Sequence, residues 1–386
     1  MTASLRVLTV FGLLLIGACK DDEVVKKPAG TDIDTTTGPP HDIGGWLSAK
    51  TTADGKVAIA YYDRTDDALG FAIGTLSGSS VSWAKEKVDS FPDENSFNPG
   101  DAGKYASLAI DSAGTYWIAY QDSTNKTLKY ARKVSGGTWE SGVADSGGGP
   151  APSAGKWASI AIDKAGNPVI SHYDEGKGQL RVARWNGTAF SGAAAYEGED
   201  YTPPDSGAST EDANTGEYTH IYVSGDGTEY IAFYDRAWGA LRLAVGGSGG
   251  YTVEMVDDSA NVGQWPTIVE NGGTLYIAYQ DVSAHTLKLA TGTPGSWTLE
   301  GVDNGAFTGA DTAPYFNGND LSIVYHDGDN NNMKLAKGGA GNWSTSTVTG
   351  TDAAAGFQNE VVSVDGAFYA LCYDYTNRTI WFGALP

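Results

Sequence analysis

The chain has 386 residues, among them 52 glycines, 21 tyrosines and 11 tryptophans, and a formal charge of −22. Such an acidic chain lacks the basic face that phosphate backbones require, which excludes a nucleic-acid partner. Glycine and aromatic enrichment, with almost no stretch of sustained helical period, points to short strands joined by tight turns.

The first segment reads as a targeting signal. Arg6 precedes an apolar run from Val7 to Ile16, too short to span a bilayer as a helix of about 20 residues. Ile16-Gly17-Ala18-Cys19 follows, and small residues before a cysteine at this point resemble the lipobox of bacterial lipoproteins. The resemblance implies removal of residues 1–18 as a signal peptide, acylation of Cys19 with palmitate-type chains, and a stable membrane anchor, because two or more acyl chains hold where one is marginal. An ordinary signal peptide with an incidental cysteine is the other reading. Lys20-Asp21-Asp22-Glu23 comes next, with no Asp directly after Cys19, and by the same resemblance the destination is the bacterial outer membrane or cell surface. Residues 19–40, rich in Lys, Asp, Thr, Gly and Pro, read as a lipidated tether, which leaves 41–386 for the fold.

From there one phrase recurs seven times: an aromatic-rich strand ending in Asp, at Asp63, Asp122, Asp174, Asp235, Asp281, Asp327 and Asp374. Leu69, Leu128, Leu180, Leu241, Leu287, Met333 and Ile380 each follow in the same register. Around each phrase the chain divides into four strands. In the second unit these are Tyr105 to Asp111, Thr115 to Asp122, Thr127 to Arg132 and Trp139 to Asp145, separated by Gly- and Asp-rich turns. Four-stranded antiparallel units repeated in this way are propeller blades, so the expectation is an all-β, seven-bladed β-propeller over 41–386. The last unit stops after three strands, and an unpaired edge there is a liability. A segment within Gly30 to Thr37 is therefore expected to close the final blade. Cys372 stands where the other units carry Tyr, His or Phe and reads as a buried thiol.

Identical copies suit scaffold better than catalysis, so the seven Asp residues read as structural, each capping the turn that follows it. His172 and His326 occupy positions in the same pattern and read as core residues. Sites belong among the residues that break the pattern on the face formed by blade-joining loops and the loops after second strands. Trp46, Tyr105, Trp157, Tyr218, Trp265 and Phe357 form a near-ring of aromatics at the start of the innermost strands, where they either stack on a ligand or plug the core. Lys104, Lys156 and Glu217 vary immediately before them, and Arg236 and the loop residue Trp238 stand on the same face. The longer loops Ser90 to Gly103 and Gly198 to Gly216 carry acidic insertions and are the second place to look. No His-Glu-x-x-His, Gly-x-Ser-x-Gly, Cys-x-x-Cys or phosphate-cradling loop occurs, so no catalytic residue, metal or cofactor is assigned. Asp327-Gly328-Asp329-Asn330-Asn331-Asn332 lacks the downstream Glu of a calcium loop and reads as a polar turn.

Ile118-Ala119-Tyr120-Gln121-Asp122, with Leu128, Lys129 and Gly137-Thr138-Trp139, resembles the repeat of fucose-binding fungal lectins and related seven-bladed bacterial lectins. No regular Arg-Glu pair recurs at matching positions, so that family's site residues are not carried over. The Ser-x-Asp-x-Gly-x-Thr-Trp box of sialidases is absent in that form, since Asp111-Ser112-Ala113-Gly114-Thr115-Tyr116-Trp117 is out of register; Arg64, Arg236 and Arg378 approach the same face. The sequence alone therefore favours a lipid-anchored surface protein whose propeller is a non-catalytic, lectin-like platform for a glycan or protein partner, touching the membrane only through its anchor. A sialidase- or glycosidase-type hydrolase and a structural subunit of an envelope complex are the alternatives.

Overall fold

The computed structural model describes residues 41–78, 80–90, 100–149, 151–199, 214–350 and 353–386, and all regular structure among them is β-strand. Blade 1 comprises Ile43–Thr51, Val57–Asp63, Ala68–Ser77 and Ser80–Asp89, hydrogen-bonded in that order and antiparallel throughout. Five further four-stranded sheets repeat it, and the seventh holds Phe357–Val364, Ala367–Asp374 and Thr379–Ala384. The innermost strands of blades 2 to 6 are Ala102–Ile110, Lys156–Ile162, Thr215–Val223, Val262–Asn271 and Thr308–Asn317. Each innermost strand touches the next, and that of blade 7 touches that of blade 1. The chain is thus a closed seven-bladed β-propeller around a central channel. The expected closing strand from Gly30 to Thr37 lies outside the described residues, as do the signal segment, Cys19, the tether and the middle of both long acidic loops.

Patterning explains which strand goes where. Second strands such as Val57–Asp63 are buried along their whole length, as a continuous apolar run between two neighbouring blades should be, whereas the outermost Ser80–Asp89 is half to fully exposed. The cores lie between blades rather than within them. Leu69 and Phe71 of blade 1 pack with Leu108, Ile118 and Tyr120 of blade 2, and each such side chain contributes about 1.5–3 kcal/mol when fully buried. The Leu, Met or Ile of every repeat is met by a glycine that opens the next blade. A Cβ on Gly216 would lie 2.7 Å from the Leu180 Cα, and one on Gly263 equally close to the Leu241 Cα. Both glycines also have φ near +105°, a conformation that only glycine adopts without strain.

The repeated Asp residues cap the turns after their strands. Asp122 accepts the Asn125 N–H at 2.8 Å, Asp281 that of Ala284 at 2.8 Å, and Asp374 that of Asn377 at 2.9 Å. A second set of carboxylates ties blades together. Asp89, Asp257 and Asp303, at the ends of outermost strands, each accept a tyrosine hydroxyl and a lysine ammonium from the following blade: Tyr120 with Lys129, Tyr279 with Lys288, and Tyr325 with Lys334. Between blades 2 and 3 the same place is taken by Asp145, His172 and Arg181, with Arg181 Nε 2.8 Å and His172 Nε2 3.1 Å from the carboxylate. His172 is fully buried and His326 nearly so, and Cys372 is a buried thiol whose sulfur accepts the Gly356 N–H.

Blades differ in the turn between their first two strands. In blades 1 to 4 the first two strands are joined across five residues, as between Thr51 and Val57 or Val223 and Glu229. In blades 5 to 7 the turn shrinks to two residues, as between Asn271 and Thr274 or Val364 and Ala367, and the second strand is one residue longer.

Candidate functional site

Every innermost strand begins with a bulge, visible as a register shift between, for example, Glu217 and His220. The bulge puts one residue per blade in left-handed backbone: Trp46, Tyr105, Trp157, Tyr218, Trp265, Asp311 and Gln358, with φ between 46° and 55°. For a non-glycine residue this geometry is costly and is concentrated where function needs it. Here it turns seven side chains into the mouth of the channel. Five of them form a continuous aromatic collar, with ring centroids 5.3 Å apart from Trp46 to Tyr105, 5.6 Å to Trp157, 4.7 Å to Tyr218 and 4.8 Å to Trp265. Asp311 and Gln358 interrupt it. All seven line one cavity of about 620 Å³ that continues down the channel past Ser48, Ser107, Ser159, His220 and Glu360.

Five of the six predicted aromatics thus come together, and the sixth does not. Phe357 pairs with Tyr373 at the position that Lys104, Lys156, Glu217 and Gln264 take in their own blades, one residue before the collar. It stacks on His326 at 4.3 Å instead. Counting back from the Asp misplaces it, because the tight turns of blades 5 to 7 shorten that interval by one. The entry glycine, two residues before the collar position, marks the correct register: Gly103-Lys104-Tyr105, Gly216-Glu217-Tyr218 and Gly263-Gln264-Trp265 align with Gly309-Ala310-Asp311 and Gly356-Phe357-Gln358.

Around the collar runs a charged rim. Lys104 pairs with Asp101 and lies 6.0 Å from the Trp46 ring centre, and the Arg64 guanidinium lies over Trp46 and Tyr373. Lys156 Nζ is 2.5 Å from Glu175 Oε1, whose other oxygen accepts the Ser153 hydroxyl. Arg236 reaches Glu217 at 3.3 Å. Burial pushes the Glu217 carboxyl above its usual range, with Arg236 only partly offsetting it. The hydrogen bond from Lys156 holds Glu175 below its usual range. Both carboxylates act on Tyr105 and Tyr173, and burial together with their charge pushes the Tyr105 hydroxyl up to about 12. Trp238 sits on the same face but outside the cavity, 42 % exposed, with the Arg242 guanidinium 5.9 Å from its ring centre. His41, Asp63 and Asp66 are a group of oxygen and nitrogen donors that could hold a cation, although Asp63 already caps its turn and accepts from His41.

No protein-family model matches the sequence, and no curated protein is similar to it. Among solved structures, the chain is similar to a Hadza microbial sialidase (14 % identity, 84 % of this chain and 75 % of that one, TM-score 0.49). It is similar also to a leech intramolecular trans-sialidase (14 %, 92 % and 70 %, 0.46) and to an α-L-arabinofuranosidase from Fusarium graminearum (11 %, 72 % and 92 %, 0.49). At these identities and TM-scores the propeller fold rests on the strand pairing of the chain itself. These neighbours are sialidase and glycosidase propellers rather than fucose-binding lectins, which overturns the expectation of a non-catalytic, lectin-like platform.

Proposed function

We propose that the protein is a glycoside hydrolase acting at the channel mouth, with Glu217 as general acid and Glu175 as the second carboxylate. The observation that carries this reading is a pair of carboxylates, held in opposite protonation tendencies by burial and by Lys156, coupled to the same tyrosines beside an aromatic collar. Glycosidic cleavage needs one carboxyl that keeps its proton and one that stays ionised. A sugar ring stacked on Tyr105, Trp157 or Tyr218 would present its glycosidic oxygen to Glu217. As the bond to the anomeric carbon breaks, the Glu217 proton passes to the leaving oxygen, and Glu175 stabilises the positive charge and serves the incoming water. Activity should follow a bell in pH, lost in base as Glu217 ionises and in acid as Glu175 is protonated.

The test is release of the aglycone from a panel of aryl glycosides by the wild-type protein and by Glu217→Gln and Glu175→Gln. Turnover in wild type that both variants lose supports the assignment. Turnover that survives both substitutions assigns the chemistry elsewhere. The targeting expectation stands as a separate proposal, supported by Ile16-Gly17-Ala18-Cys19: Cys19 carries the lipid, and Cys19→Ala should abolish incorporation of labelled palmitate.

A further inference from the structure

The breach in the collar is built for a different task from the rim. Asp311 and Gln358 keep the left-handed backbone of their aromatic counterparts but bring oxygen where those bring rings. Asn359 is only 7 % exposed and lines the same cavity. Its Nδ2 donates to the Asp311 carbonyl at 2.9 Å, which fixes the orientation of the amide and leaves Oδ1 as the end without a donor among the described residues. Gln358 Oε1 is enclosed and lacks a donor as well. Buried acceptors are normally satisfied, and an unmade bond costs about 1–3 kcal/mol. The Asp311 carboxylate takes the Gln358 backbone N–H, and among the described residues no cation pairs with it. Lys50, inside the channel, acts on Glu360 and His220 instead. The collar's free ends, Trp265 and Trp46, flank the breach in blade order, and Tyr218 lies within electrostatic reach of Asp311.

We propose that this breach is a binding site for the primary ammonium group of a small organic ligand, seated between Trp265 and Trp46 with its charge on Asp311 and its N–H groups directed to Gln358 Oε1 and Asn359 Oδ1. Two buried acceptors without donors, beside a carboxylate that takes one backbone N–H and faces no cation among the described residues, call for a group that only donates, and an ammonium is such a group. The aromatic faces favour an organic cation, which they attract through their negative π surfaces. A hard metal ion fits less well, since it takes six or more oxygens and the breach offers three side chains between apolar walls. The site takes its polar groups from blades 6 and 7 and its walls from blades 5 and 1, and needs neither Glu217 nor Glu175, so it stands whether or not the rim cleaves glycosides.

Calorimetry and tryptophan fluorescence on the full chain, titrated with butylammonium chloride, 1-butanol, tetramethylammonium chloride and potassium chloride, test it. Butylammonium should bind saturably and at least about tenfold more tightly than the neutral alcohol, with potassium failing to displace it. Asp311→Asn should weaken butylammonium at least about tenfold, and Glu217→Gln should leave it unchanged. Gln358→Leu should weaken butylammonium but not tetramethylammonium, which has no N–H to donate. Equal binding of 1-butanol, displacement by potassium, or full affinity in Asp311→Asn would overturn the proposal. If Asp311→Asn does not fold, the wild-type comparison with 1-butanol and the Gln358→Leu contrast decide the matter.

Discussion

Blades 1 to 4 and blades 5 to 7 share one backbone frame, down to the glycine, the bulge and the left-handed residue at each entry, yet they furnish the channel mouth differently. The first arc carries Lys104, Lys156 and Glu217 on its rim, reinforced by Arg64, Glu175 and Arg236, behind four aromatic collar residues. The second places Gln264, Ala310 and Phe357 in the same register and replaces two of three collar rings by Asp311 and Gln358. The longer first turns of blades 1 to 4 track the same division. The frame is therefore common property, and the arcs differ in what each hangs on it: a charged rim on one side and an acceptor-lined notch on the other.

The largest effect expected from this contrast is on turnover. Glu217→Gln should lower kcat on a cleaved glycoside by about 10²–10⁴-fold, whereas Gln264→Ala, in the matching register of the second arc, should change it by no more than about threefold. Equal losses would erase the distinction. The next is on stability at blade junctions, read by denaturant unfolding. Asp145→Ala strands the buried Arg181 beside a buried His172 and should cost about 3–5 kcal/mol, more than Asp303→Ala, whose lysine partner reaches solvent more easily. Burial alone would raise the Asp145 carboxyl, but His172 and Arg181 outweigh it and hold the group below its usual range. Its stabilising share is thus complete above the unfolded value, about 4, and fades as pH falls through the depressed folded value, so the gap between wild type and Asp145→Ala should narrow in acid.

Asp311 has the opposite sign. Burial pushes its carboxyl up to about 6, so the fold is favoured while the group is protonated and loses stability as pH rises from about 4 through that value. Asp311→Asn should therefore stabilise the protein at pH 7 to 8 by about 1–2 kcal/mol, a gain that disappears below about pH 4. A residue kept at a cost to stability is a mark of function, and a neutral or destabilising result would place Asp311 in the scaffold. The smallest effect belongs to Lys104, a half-buried partner of Asp101: Lys104→Ala should raise KM by no more than about threefold, measured under the same assay.

The propeller was legible because its determinants are local and repeated. The strand ending in Asp, the Leu behind it and the outer-strand aromatic recur often enough to fix blade number without any long-range information. The collar was legible in five of its seven places for the same reason. Phe357 falls one residue off the collar, and Asp311 and Gln358 carry no ring to mark them, because the interval from the Asp changes in blades 5 to 7 while the position is defined by its bulge and its preceding glycine. Of the two rim carboxylates, Glu217 was legible from its place before the collar position, and Glu175 was not. Glu175 follows a second strand in blade 3 and Glu217 opens blade 4, and only ring closure and burial set one apart from the other among 47 acidic residues.

The glycine that opens each blade has a consequence for what the channel can admit. Because Gly216 and Gly263 let the incoming strand lie almost flush against the neighbouring Leu backbone, they act as spacers of zero thickness between wedges. The bore of the channel is then set by residues that no ligand ever meets. A methyl group at any of these seams would open the angle between two wedges, tilt the collar rings apart and change the size of molecule that fits, with every contact residue left in place.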